Sequence, residues 1–191
     1  MPKIELENNE LELVEEMKLL GVVIQSDMKW GANTEYMVER AYKKLWVIRR
    51  LKGLGAQNSE LVDMYRKQVR SVLELAVPAW NGAITNSDKT DIERVQKCAL
   101  HIILGDQYFS YADALVKSNL DSSGTRREKF SLKFAKKAVK DTKHSSWFKP
   151  KPQLPTRQTQ DRYYKPIART DRLMTSPISY LTKLLNEDAS K

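Results

Sequence analysis

The chain has 191 residues, of which 30% are charged and 41% apolar, and its formal net charge is +9. That length suits one domain, or one domain with a tail, and the composition is that of an ordinary globular protein rather than a collagen-like or grossly disordered one. A single cysteine, Cys98, excludes a disulfide framework or a multi-cysteine zinc site; no apolar run of about 18 residues is present, and the acidic first sixteen residues do not read as a secretory leader.

In chain order, residues 4–16 are Glu-rich with Ile4, Leu6, Leu11 and Leu13 interspersed, a ragged pattern that suits an edge strand or a displaced remnant. Met17 to Gln25 is a short β-branched apolar run, read as a strand or hairpin. Asp27 to Gly31 turns the chain, and Asn33 can cap a helix, with Tyr36 where a capping-box acid would sit. Met37, Ala41, Leu45, Ile48 and Leu51 then recur at helical spacing, and Gly53 and Gly55 stop that helix. Asn58 or Ser59 caps a second helix, with Leu61, Tyr65, Val69 (or Gln68) and Val72 on one face. It runs to about Leu75, before Pro78. Val77 to Trp80 is a bulky apolar anchor. Ser87 caps a third helix whose stripe is Ile92, Val95, Ala99 and Ile102, with Gly105 as its stop.

A short helix is expected at about Tyr111–Val116. A fifth runs from about Thr125 to Lys140, with Phe130, Phe134 and Val139 as its apolar residues. After Lys149, Pro150, Pro152, Pro155 and Pro166 lie among Gln, Thr, Arg and Lys, the composition of an extended, largely disordered linker. Ile178 to Leu185 has room for two amphipathic turns. The fold expected is therefore mainly α. A strand or hairpin in residues 1–30 leads into a small helical bundle in residues 31–145, and a Pro-rich basic tail occupies residues 146–191.

The positive charge is uneven. Residues 125–191 carry 17 basic and 6 acidic groups, while residues 81–124 carry 4 and 6. A basic segment beside a near-neutral body suits a polyanion, most often nucleic acid, or a solvated, weakly ordered tail. Catalytic chemistry is harder to find. No Asp-Asp pair occurs, and Asp88 and Asp91 fall at a helix start, where carboxylates stabilise the dipole. Cys98 and His101 share one predicted apolar face with no acid in register. His144 has no ligand partner at the usual spacing, so neither a metal centre nor a triad is expected. No resident cofactor is expected.

Two basic faces remain. The first long helix carries Arg40, Lys43 and Arg50 along one side, with Lys44, Arg49 and Lys52 on its flanks. Trp46 lies among them, able to stack on a base or to pack in the core. The fifth helix carries Arg126, Arg127, Lys129, Lys133, Lys136, Lys137 and Lys140. The lysines repeat at three and four and so form a basic rail. Such faces can neutralise phosphates without reading bases. A peripheral membrane helix is the less favoured alternative for the fifth helix, and a nuclear-import signal is a further one of low specificity.

Several segments, in order, resemble the region just after the polymerase active site of reverse transcriptases from non-LTR (LINE, jockey-like) retrotransposons. They are Leu20-Gly-Val-Val-Ile-Gln-Ser-Asp-Met-Lys-Trp30, Lys43-Lys-Leu-Trp-Val-Ile-Arg-Arg-Leu-Lys52, Leu61-Val-Asp-Met-Tyr-Arg-Lys-Gln-Val-Arg70 and Ala76-Val-Pro-Ala-Trp80, then Ile92-Glu-Arg-Val-Gln-Lys97, Arg126-Arg-Glu128 and Ser176-Pro-Ile-Ser-Tyr-Leu-Thr-Lys-Leu-Leu-Asn186. The resemblance spans residues 17–187. It implies a palm-edge strand at Leu20, Gly21 and Val22, followed by thumb helices that hold an RNA or RNA–DNA duplex by its backbone. Arg40, Lys43, Lys44, Arg49 and Arg50 would be the thumb contacts. The family's Asp-Asp motif, which holds catalytic magnesium, is missing here, as are the fingers and most of the palm. The resemblance therefore implies a non-catalytic fragment that grips template and primer. The alternative is an inert truncated product, or a protein-interaction module that would dock on a missing palm. The stretch from Leu20 to Leu51 also resembles the amino-terminal region of a relative of alkylated-DNA repair dioxygenases. The iron site of those enzymes is absent, so their activity is not implied.

Overall fold

The computed structural model describes residues 4–6, 9–152 and 161–189. Its first elements are two antiparallel hairpins, β1 (Ile4–Leu6) with β2 (Asn9–Leu11), and β3 (Glu16–Leu19) with β4 (Val22–Gln25). The apolar run around Gly21 is thus a hairpin with a two-residue turn, Leu19 facing Val22. Leu20 and Gly21 both have positive φ, 49° and 87°, as this tight turn demands. Gly21 has a further reason to be glycine, because a Cβ there would lie 3.2 Å from Leu75 Cδ2. Leu20 has no such reason. It is 90% exposed in a conformation that branched, bulky residues resist. Leu20→Asn is expected to raise stability by about 0.5–1 kcal/mol, read as an increased urea midpoint with an unchanged slope.

The hairpin is tied to α1 (Gly31–Gly53) by side chains. Asn33 is buried and does not cap the helix. Its Oδ1 accepts the Val23 N–H at 3.1 Å, while Gln25 Oε1 accepts the Ala32 N–H at 3.2 Å. The helix starts three residues earlier than an Asn33 cap would place it, and the Ala32 N–H in its first turn finds its partner on the hairpin.

α2 (Asn58–Met64) continues through a π-helical turn (Tyr65–Arg70) into α3 (Ser71–Leu73). Gln57, not Asn58 or Ser59, is the cap of α2, with Glu60 returning to accept the Gln57 N–H at 2.8 Å. The π turn widens the spiral, so the buried stripe steps by four throughout, Leu61, Tyr65, Val69 and Leu73, and Val72 is only half-buried. After the one-turn α4 (Val77–Trp80), α5 (Asn86–Leu104) is capped by Thr85 and Asp88, not by Ser87. α6 (Tyr111–Lys117) and α7 (Ser123–Lys140) follow. The main core joins Met37, Ala41, Leu45 and Ile48 of α1 to the Leu61–Leu73 stripe, Trp80, and Ile92, Val95, Ala99, Leu100 and Ile103 of α5. Burying each large side chain in it contributes about 1.5–3 kcal/mol.

A polar node crosses this core. The Tyr65 hydroxyl donates to Gln96 Oε1 at 2.8 Å, and Ser123 Oγ donates to the same oxygen at 2.9 Å. Burial pushes the Tyr65 phenol above its ordinary value. A raised folded-state value means that the neutral phenol adds stability below the ordinary tyrosine pKa of about 10, and that this stability is lost as pH climbs beyond it. Tyr65→Phe is expected to cost about 1 kcal/mol near neutrality. The gap between the two proteins' urea midpoints should narrow from pH 9 to pH 11.5, and a gap that stayed constant would contradict this assignment.

α7 is rolled away from the Phe130–Phe134 seam that the spacing suggests. Its buried side is Arg127, Ser131, Ala135 and Ala138, whereas Phe134 is exposed. Small residues there let α4 and α9 (Pro177–Ala189) come close. Ala135, Ala138, Phe148, Leu181 and Leu185 make a second apolar cluster. The expected terminal helix is present as α9, and the tail that leads to it, expected to be largely disordered, is ordered at residues 161–189. Lys151 N–H donates to Arg162 O at 2.8 Å and Tyr164 N–H to Lys149 O at 3.0 Å. Asn186 Oδ1 accepts the N–H groups of Arg162 and Tyr163 at 2.9 and 3.0 Å. A short α8 (Asp171–Met174) leads into α9. Residues 153–160, including Pro155, lie outside the described residues.

Candidate nucleic-acid interface

The two basic faces sit on α1 and α7, which both pack on α5. Tyr42 of α1 rests beside Cys98. α7 meets α5 at Glu93, which accepts the Ser123 and Gly124 N–H groups at 3.1 and 3.2 Å. A carboxylate at the start of α7 offsets the positive end of its dipole.

On α7, the burial of Arg127, Ser131, Ala135 and Ala138 turns Lys129, Lys133, Lys136, Lys137 and Lys140 outward, and all five are exposed. At 100° per residue they fall within an arc of about 100°. Lys129 pairs with Asp121 at 2.7 Å and holds that carboxyl below its usual range, and Lys136 pairs with Asp188 at 2.7 Å. Lys133, Lys137 and Lys140 make no ion pair among the described residues.

Two members of the predicted set leave this face. Arg127 is 3% exposed, its Nε donating to Asn81 Oδ1 at 3.0 Å, while Asn81 Nδ2 donates to the Tyr180 hydroxyl at 2.8 Å. It joins α7, the turn after α4, and α9, and is shut away from any polyanion. Arg126 is half-buried, with Nε on Glu74 Oε1 at 3.2 Å and its guanidinium 4.3 Å from the Phe130 ring centre. It faces a cavity at the start of α7 rather than the lysine rail.

On α1, Lys52 is likewise drawn inward. Its Nζ donates to the carbonyls of Ile102 and Ile103 at 2.5 and 3.1 Å, closing the exposed end of α5. Lys44 donates to Gln68 Oε1 at 3.2 Å, Lys43 to Glu39 Oε1 at 2.5 Å, and Arg40 to the Tyr36 hydroxyl at 3.1 Å. Arg49 and Arg50 make no ion pair among the described residues. Trp46, one turn before them, is 64% exposed, so the packing alternative for its ring does not hold. Sequence periodicity could not place Trp46, because indole suits either side of an amphipathic helix.

His101 stacks on Tyr108 with ring centres 4.5 Å apart, and Cys98 is half-buried. Among the described residues no three His, Cys, Asp or Glu side chains converge as a metal site, and no helix is long and apolar enough to cross a membrane. No family model matches the chain, and no curated protein or solved structure matches it either. The class supported by fold and geometry is a helical bundle with an N-terminal hairpin and a lysine-faced helix.

Proposed function

We propose that this protein is a non-catalytic helical module that holds nucleic acid by its phosphate backbone. In this reading it is a fragment of a non-LTR retrotransposon reverse transcriptase, comprising the palm edge and thumb that its sequence resembles. The observation that carries the reading is the outward alignment of Lys129, Lys133, Lys136, Lys137 and Lys140 on α7, three of them in no ion pair among the described residues. Such a row matches a row of phosphates and distinguishes no bases, as a thumb requires. Trp46 beside Arg49 and Arg50 supplies a second contact, a stacking platform with flanking charge.

Fluorescence anisotropy with an RNA–DNA duplex tests it. Binding is expected with a dissociation constant of about 10⁻⁴–10⁻⁶ M, indifferent to sequence, with log K falling by about 0.9 per contacted phosphate for each unit of log salt. Trp46→Ala should weaken binding of single strands with no loss of stability. Equal retention of the duplex and of an uncharged peptide nucleic acid would refute the proposal. Primer extension with magnesium should yield no product.

A second reading rests on the β3–β4 hairpin and the segment before it, where Leu13, Val14, Met17, Leu19 and Leu20 are all exposed. That apolar strip suits docking against another protein surface. It predicts self-association at micromolar concentration, abolished by Met17→Glu and Leu19→Glu, as measured by sedimentation.

A further inference from the structure

A cavity of about 630 Å³ lies between the π-helical turn, the end of α6 and the first turn of α7, away from the outer lysine row. Three arginines line it, Arg66 and Arg70 from the π turn and Arg126 from α7. Arg70 is only 7% exposed. Its Nε lies 2.9 Å from Glu74 Oε1, and Arg126 Nε lies 3.2 Å from the same oxygen. Two guanidiniums thus share one carboxylate, and one positive charge is left over. The other acids nearby are already engaged, Asp63 by Arg66 at 3.1 Å and Asp121 by Lys129 at 2.7 Å.

The arginines are held in place by the backbone. Arg66 Nη2 donates to Asn119 O at 3.0 Å, from a residue with φ of 48°, and Arg70 Nη2 reaches Asp121 O at 3.4 Å. Among the described residues, both terminal nitrogens of Arg126 and the Nη1 of Arg70 make no hydrogen bond, and all three arginines face the cavity. A π turn in mid-helix departs from the regular ladder and is often found at functional sites; here it carries two of the three arginines.

We propose that this cavity binds a phosphomonoester group. Guanidinium forks approaching from two helices suit a tetrahedral anion, whose several acceptor oxygens can meet the terminal N–H groups that the single shared Glu74 oxygen leaves without a partner. The cavity is larger than phosphate itself. A neighbouring cavity of about 600 Å³ shares Arg66 and Asn119 with it, leaving a way out for whatever the phosphate is attached to. The proposal stands apart from the lysine row, because it uses different residues and a discrete ligand.

The test uses the whole chain at constant ionic strength, following the arginine Nε–H resonances while inorganic phosphate is added. A 5′-phosphorylated dinucleotide, its 5′-hydroxyl counterpart and acetate are then titrated in the same way. Saturable shifts confined to Arg66, Arg70 and Arg126 are expected. The phosphorylated dinucleotide should bind about tenfold more tightly than its hydroxyl counterpart. Arg126→Gln should weaken phosphate binding about tenfold. Arg70→Gln risks the fold, so the partly exposed Arg126 is the variant that decides. Lys133, Lys137 and Lys140 changed together to Glu should leave phosphate binding unaltered, even where duplex binding is lost. Equal binding of inorganic phosphate and the phosphorylated dinucleotide would support the site with free phosphate as its ligand. Non-saturating shifts, acetate binding as strong as phosphate binding, or an Arg126→Gln protein that binds phosphate normally would each overturn the proposal.

Discussion

Changing Lys133, Lys137 and Lys140 together to Glu is expected to lower duplex affinity by roughly 10²–10³-fold at 0.1 M salt, and to reduce the slope of log K against log salt by about 2.7. Each lysine that neutralises a phosphate releases close to one counterion, so three lost contacts subtract three such terms. Introduced carboxylates add repulsion to that loss. The three side chains are exposed and make no ion pair among the described residues, so the fold should hardly register their loss. Lys140 ends α7, where a cation favours the negative pole of the helix, and its reversal alone should lower stability by about 0.3–1 kcal/mol. Anisotropy titrations at four salt concentrations, with circular dichroism as the folding control, decide the matter. A triple variant that binds as the parent does would remove α7 from the interface.

Gly82→Ala is expected to destabilise the protein by more than the loss of the Tyr65 hydroxyl does. A Cβ at that position would lie 2.5 Å from Tyr180 Cβ, 2.6 Å from Tyr180 Cγ and 3.0 Å from Thr175 O. Tyr180 cannot swing aside freely, because its hydroxyl accepts the Asn81 Nδ2 donor at 2.8 Å and Asn81 also receives Arg127. The backbone of the turn before α9, at Thr175 O, closes the other way out. Overpacking of this kind costs about 1–3 kcal/mol. The damage should be local, since α9 belongs to the second apolar cluster and not to the main core. Hydrogen exchange should rise in α9 and at residues 161–170, while α1 and α5 stay protected. Tyr180→Gly in the same chain, which removes both the Cβ and the Cγ, should recover part of the loss, giving a non-additive pair. Purely additive effects would mean that the contact does not carry the strain.

The tail shows why sequence alone underestimates this part of the molecule. Five prolines and scattered charge from residue 149 onward have the composition of a linker, and local propensity favours no element there before the amphipathic turns at Ile178 to Leu185. Order at residues 161–189 comes from partners distant in sequence, Asn186 holding Arg162 and Tyr163, and Leu181 and Leu185 buried against Ala135 and Ala138. The same cause explains the roll of α7. Its periodicity favours Phe130 and Phe134 as the inner side, but a close helix partner selects small side chains instead.

The candidate binding residues divide in the same way. Lys129, Lys133, Lys136, Lys137 and Lys140 could be read directly, because their three- and four-residue spacing places them on one side of any helix. Arg127 has matching chemistry and neighbouring position, yet it is buried. Lys52 and Arg126 lie on helices that were foreseen, but one closes the end of α5 and the other shares Glu74. Arg66 and Arg70 carried no signal as a site, since only the π turn and the α6–α7 connection bring them beside Arg126.

What the amino-acid order determined by itself was the mainly helical character, the stripes of α1 and α5, and the lysine row, because each depends on spacing along one helix. The tertiary structure alone decided which cations remain free for a ligand, where the tail docks, and that three arginines meet around one carboxylate. A side chain's availability depends on which acceptors and carboxylates fold against it, and those partners lie some 50 residues away in the chain.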